Sequence, residues 1–158
     1  MTERKINIRE ASVQEDSLIA EHFYHLWRDN DVPCDSIRSD WLEITIEFIN
    51  RARKDLHYKA FVAEISGIVV GSASCQLFTG LYPNVLEDHY RKYGYIWGVY
   101  VESLHRNQGI GKKLILAMVD YLKSIGCTRV LLHATPLGKP VYKHLGFSDS
   151  NEMRLDLS

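Results

Sequence analysis

The sequence predicts one α/β domain, α+β in schemes that set antiparallel strands apart, and three observations carry that prediction. Residues 95–147 read in turn as strand, glycine-bearing connector, helix, strand and short helix. Residues 59–78 read as two β-rich runs joined at Ser66 and Gly67, and two amphipathic helical stretches precede them. With 158 residues, 46% hydrophobic and 25% charged, the chain can bury one sizeable core, and no repeat or linker divides it.

Residues 6–9 alternate apolar and polar, a short strand signal. Leu18, Ile19, His22, Phe23, Leu26 and Trp27 then fall at three- and four-residue spacings, which predicts a helix over 13–29 ended by the run from Asp29 to Pro33. Trp41, Ile44, Thr45, Phe48 and Ile49 repeat the pattern over 41–53. Because both helices precede most of the sheet, they are expected as a lid on one edge. His22 and His25 are expected as surface or packing residues, since no carboxylate or cysteine cluster stands with them to hold a metal.

Residues 59–65 and 68–78 are rich in β-branched and aromatic residues, and the Ser66-Gly67 turn between them predicts an antiparallel hairpin. Gly71 is expected at a bulge or a close backbone approach, and Cys75 as a small buried hydrophobe. From 79 to 93 the pattern breaks, leaving a long connection that carries Tyr82, Glu87, Asp88, His89, Tyr90 and Tyr93. A connection of that length is either functional or a solvated loop.

Residues 95–101 are almost continuously apolar, as in a central strand buried on both faces, with Gly98 marking a bulge or a close approach. Ile110, Leu114, Ala117, Met118, Tyr121, Leu122 and Ile125 share one helical face, Gly126 stops the helix, and 129–134 resumes as a strand. A strand-helix-strand unit of this kind predicts parallel strands with a right-handed crossover, and ligands of such sheets sit beyond the carboxyl ends of the strands. That end is the turn made by Arg106, Asn107, Gln108, Gly109, Ile110 and Gly111, whose backbone N–H groups can gather around an anion. Lys112 and Lys113 stand in the first helical turn, where the helix dipole disfavours each by about 0.3–1 kcal/mol. A bound phosphate reverses that penalty. Two common phosphate motifs fail: Arg106 stands where a Walker loop needs its first glycine, and Leu114 where a dinucleotide fingerprint needs its third.

A formal net charge of −1 and a pI near 6.6 give a nucleic-acid partner no global electrostatic support. Cys34, Cys75 and Cys127 are odd in number and dispersed, as expected of reduced thiols in a cytoplasmic protein. No apolar run approaches the roughly 18 residues of a membrane span, and the charged N-terminus does not read as a signal peptide.

Val99, Tyr100 and Val101, followed by the Arg106-x-x-Gly109-x-Gly111 turn and later by Val141, Tyr142, Lys143, His144, Leu145, Gly146 and Phe147, resemble the GNAT superfamily of N-acetyltransferases. The pattern covers roughly residues 59–147. The resemblance implies a mixed, mostly antiparallel sheet, flanked by helices, whose central parallel strand pair splays apart to admit acetyl-CoA as cosubstrate. It further implies that the backbone of Val99, Tyr100 and Val101 hydrogen-bonds the pantetheine, and that amides of Arg106, Asn107, Gln108, Gly109, Ile110, Gly111 and Lys112 hold the pyrophosphate. Tyr142 matches the family tyrosine that gives a hydrogen bond or proton to the departing thiolate, a role suited to a phenol protonated at neutral pH.

Transfer to an amine also requires a group that removes a proton from the nucleophile. Glu87, Asp88, His89, Glu102 and a water chain are the candidates, while His133 and His144 are read as structural. No cysteine has the setting of an activated thiolate, so direct transfer in a ternary complex is expected. The acceptor is read as a small-molecule amine; a peptide amine, or a non-catalytic acyl-CoA sensor, stays open at this stage. So does the oligomeric state, a homodimer included.

Overall fold

The computed structural model describes residues 5–157. Five strands form one sheet in chain order: β1 (Ile6–Glu10), β2 (Lys59–Ile65), β3 (Ile68–Leu77), β4 (Tyr93–Val101) and β5 (Arg129–Leu131). The first four are antiparallel neighbours, and β5 runs parallel to β4. Four helices flank the sheet: α1 (Asp16–Asp29), α2 (Trp41–Asp55), α3 (Ile110–Ser124) and α4 (Lys139–His144). This is the mixed, mostly antiparallel arrangement with one parallel pair that the family resemblance implies.

Alternation along β4 explains the two-sided core. Ile96 joins the cluster that α3 builds from Ile110, Leu114, Ile115, Met118 and Leu122, whereas its neighbour Trp97 joins a second cluster around Ile19, Ile49 and Tyr58. Consecutive strand residues point to opposite faces, so α3 covers one face of the sheet and α1 with α2 the other. Phe23 of α1 and Phe48 of α2 meet the Trp97 ring edge-on at 5.0 and 5.5 Å. The two early helices therefore cover a face over β4 rather than an edge. They are clipped together by a bidentate ion pair in which Arg53 donates to both oxygens of buried Asp16, at 2.7 and 3.0 Å.

The hairpin turn has Ser66 at φ 52° and Gly67 at φ 79°, left-handed at both central positions, as required by the turn that matches strand twist. Gly71 sits beside a register shift in the β2–β3 ladder, and a Cβ there would lie 2.9 Å from the Tyr100 carbonyl oxygen. Several boundaries differ from expectation: β1 runs on to Glu10, β3 stops at Leu77 and β4 starts at Tyr93, and three further differences concern the first helix, α2 and β5. The first helix opens with a 3₁₀ turn at Val13–Glu15, where Glu15 accepts from the Ser12 backbone and forks with Arg9. α2 runs on to Asp55. β5 ends at Leu131 instead of 134, and that shortening shapes the site.

Candidate active site

The parallel ladder has only three rungs, Tyr93 with Arg129, Gly94 with Val130 and Tyr95 with Leu131. Beyond it, Gly98 takes φ +67° and the β3–β4 register slips, leaving Gly98 and Val99 of β4 opposite Ala73 alone. A bulge of this type bends its strand and sharpens the local twist. Among the described residues, the β5-facing edge of residues 96–101 consequently has no strand partner. The Val99 and Val101 side chains pack on the α3 core, while Tyr100 turns to α1, its ring 4.9 Å from that of His22. What the splay leaves unpaired by a strand is backbone, a strip of donors and acceptors in which Arg106 takes the Val101 carbonyl and which suits an extended, amide-bearing ligand.

At the wide end of the splay lies the anion cradle. Asn107 at φ 64° and Gly109 at φ 78° turn the chain into α3, which Gly109 caps without any side-chain hydrogen bond. The first-turn amides of a helix have no partner within it, and here no acidic residue compensates them. A Cβ on Gly109 or Gly111 would meet no neighbouring atom within 4 Å, so both glycines border open space. Gln108, Lys112 and Lys113 are exposed beside it, and Ile110 is buried beneath. Arg106 contributes differently from its neighbours. Its side chain turns back toward β4 and α1, Nε donating to the Val101 carbonyl at 2.7 Å and Nη2 pairing with Asp29 at 2.6 Å.

The narrow end of the splay opens on a cavity of about 1000 Å³. The connection from Phe78 to Leu86, Tyr95 and the stretch after β5 line it, together with Tyr142 and residues 147–152. α4 delivers Tyr142 with its ring edge-on to Phe147 at 5.8 Å and against Gly138, where a Cβ would come within 3.2 Å of the ring. Leu145 and Phe147 pack on the main core, which explains why the Tyr-x-x-Leu-Gly-Phe pattern is needed to hold the tyrosine in place. Burial pushes the Tyr142 phenol above its ordinary range, and no hydrogen bond contributes to the shift. The phenol therefore stays protonated at neutral pH.

The candidate bases fare unequally. Glu87, Asp88 and His89 lie in the exposed loop outside the cavity lining, and Glu102 sits at the far end of β4, its carboxylate 3.7 Å from the His22 ring. Sequence reasoning missed a different group. The Tyr95 hydroxyl hydrogen-bonds His133 Nδ1, and His133 Nε2 meets Glu152 at 3.0 Å, in the wall of the same cavity as Tyr142. The pairing of β4 with β5 links the first two; no motif marks Glu152. Cys75 is buried, its thiol donating to the Lys59 carbonyl and pushed up to about 12 by burial, so it holds no thiolate at neutral pH.

A splayed parallel pair, an uncapped anion cradle at one end and a protonated phenol at the other define an acyltransferase that uses a coenzyme A thioester. The chain belongs to the acetyltransferase (GNAT) family, whose model matches residues 20–147. It is 34% identical over 108 residues to a glucosamine 6-phosphate N-acetyltransferase of Trypanosoma brucei brucei, covering 68% of this chain and 70% of that protein. An acetyltransferase of Clostridium acetobutylicum solved with acetyl-CoA superimposes with a TM-score of 0.80 at 25% identity, over 98% of this chain and 96% of that one. A GCN5-related N-acetyltransferase of Ralstonia eutropha shares the fold with a TM-score of 0.81 at 21% identity, over 97% and 99%. The protein is an acetyl-CoA-dependent N-acetyltransferase.

Proposed function

We propose that this enzyme acetylates the primary amine of a small amino sugar by direct attack in a ternary complex. The observation that carries the reading is the short parallel ladder, which leaves a backbone strip between the anion cradle and the Tyr142 cavity. Acetyl-CoA lies along that strip. The backbone of Val99, Tyr100 and Val101 bonds the pantetheine, and amides from Arg106 through Lys112 hold the pyrophosphate.

With the thioester so held, its carbonyl faces the cavity, where the acceptor binds. The neutral amine nitrogen attacks the carbonyl carbon, the C–N bond forms, and the C–S bond breaks. Tyr142 donates to the departing sulfur, where negative charge develops. The high-lying Cys75 thiol supports direct transfer over a covalent acyl-enzyme.

An amino sugar is favoured by the named activity of the Trypanosoma brucei brucei relative. The dispersed, odd-numbered thiols support a cytoplasmic setting.

Release of free coenzyme A thiol from acetyl-CoA tests the reading over glucosamine 6-phosphate, glucosamine, a polyamine and a lysine peptide. Saturable release with highest kcat/KM on the amino sugars supports it. Release on the peptide alone would replace the acceptor class, and tight coenzyme A binding without release on any amine would point to a sensor.

A further inference from the structure

We propose that Tyr95, His133 and Glu152 form the relay that takes the proton from the acceptor ammonium, a role that rests on the amine acetylation proposed above. Strand geometry brings the three together. Tyr95 and Leu131 are the last rung of the parallel ladder, and His133 stands two residues further on, the spacing that returns a side chain to the same face. The chain following α4 then comes back past this face and sets Glu152 against the imidazole.

The direction of the relay follows from the donor inventory. An ionised carboxylate only accepts, so the proton between Glu152 and His133 belongs to Nε2. His133 Nδ1 then carries the lone pair, and the Tyr95 hydroxyl donates to it. That leaves a lone pair of the Tyr95 oxygen for a donor in the cavity. Burial raises the Tyr95 phenol, so it passes a proton on rather than standing ionised. The Tyr95 ring is braced on Phe78 at 5.8 Å.

In the step, the ammonium gives a proton to the Tyr95 oxygen as the Tyr95 proton moves to His133 Nδ1. Tyr95 remains a phenol, the imidazole becomes an imidazolium facing Glu152, and the amine becomes a neutral nucleophile. The side chains of His133 and Glu152 are 68% and 64% exposed, which opens the far end of the relay to water, where the imidazolium discharges. The ammonium loses two protons in all. One leaves by this route, and the second passes from nitrogen, once the C–N bond has formed, to Tyr142 as Tyr142 protonates the coenzyme A sulfur. The charged groups around the relay are engaged with other partners. Arg91 and Arg129 stack on Tyr93 at 4.4 and 5.0 Å, and Lys139 and Lys143 pair with Asp149 at 3.0 and 3.4 Å.

The test is the pH profile of kcat/KM for Tyr95→Phe and His133→Gln in the full chain, with the fastest amine of the thiol-release panel. Phe keeps the Tyr95 ring, and His133 is at the surface, so both variants are expected to fold. Each should lose about 100-fold at pH 7, in the range of a general base, with acetyl-CoA affinity within twofold of wild type. The deficit should shrink as pH rises past the amine's own pKa, because the bulk then supplies neutral amine. A variant within threefold of wild type at pH 7, or a deficit constant with pH, would overturn the relay. Wild-type turnover reports separately on acetylation itself: if no amine is acetylated, both readings fall, and if wild type turns over, the variant ratio alone decides the relay.

Discussion

Arg106 and Asp29, 77 positions apart, form an ion pair of 2.6 Å that ties the last residue of α1 to the start of the glycine turn before α3. The same guanidinium caps the Val101 carbonyl and lies over the Tyr100 ring at 5.4 Å. One side chain thus joins α1, the bulged strand and the turn before α3. Both partners are partly exposed, which limits the pair to about 1 kcal/mol. Asp29→Ala should weaken acetyl-CoA binding about threefold to fivefold in calorimetry and leave the acceptor KM unchanged. Unaltered cosubstrate affinity would show that the loop holds its shape without this tie.

Tyr142→Phe removes the hydroxyl and keeps the packing against Phe147. The variant should lose about 10- to 100-fold in kcat, the scale of a lost transition-state donor. Its acetyl-CoA dissociation constant should stay within twofold of wild type. A loss in affinity with kcat preserved would make the residue a binding group instead.

Gly109→Val challenges the cradle twice. The position has φ +78°, strained for a β-branched side chain, and the new methyls would stand in the open space at the cap of α3. Affinity for coenzyme A should fall at least about tenfold, by analogy with losing more than one charge-assisted bond of about 1.5 kcal/mol or more. Dephospho-coenzyme A, which retains the pyrophosphate, should suffer the same loss, whereas pantetheine, which lacks it, should not.

His22 links stability to pH. Its ring is buried, Nδ1 is 2.7 Å from the Ser72 hydroxyl, and Nε2 has no hydrogen-bond partner among the described residues, with Glu102 at 3.7 Å. Burial lowers its pKa below the ordinary 6.5, outweighing the nearby Glu102 carboxylate. The unfolded chain therefore binds the proton more readily than the folded one. Stability from this group is complete above pH 6.5 and declines as pH falls through the interval down to the folded value. The urea midpoint should drop between pH 7 and pH 5, and His22→Gln should flatten that slope; an equal slope in the variant would locate the dependence elsewhere.

Much of this architecture is legible in the chain. Alternation and helical periodicity report burial, so residues 59–78 and the α3 face of Ile110, Leu114, Met118 and Leu122 could be read from local pattern. The turn from Arg106 to Gly111 could be read because a left-handed cap and an uncompensated helix terminus need glycine there. Positions set by tertiary contact were not legible. The turn of the Arg106 side chain toward α1 depends on Asp29, and the early helices settle over β4 because Trp97 presents its ring to them. The length of β5 depends on where its partner bends, and Glu152 reaches His133 only through the path of the chain after α4.

The splay itself is most directly examined by amide chemical-shift mapping of the ¹⁵N-labelled protein titrated with coenzyme A. The account predicts that the largest shifts fall at Val99, Tyr100 and Val101 and across residues 107–112, with β1 and β2 unmoved. Saturable binding that leaves those amides unshifted would contradict it.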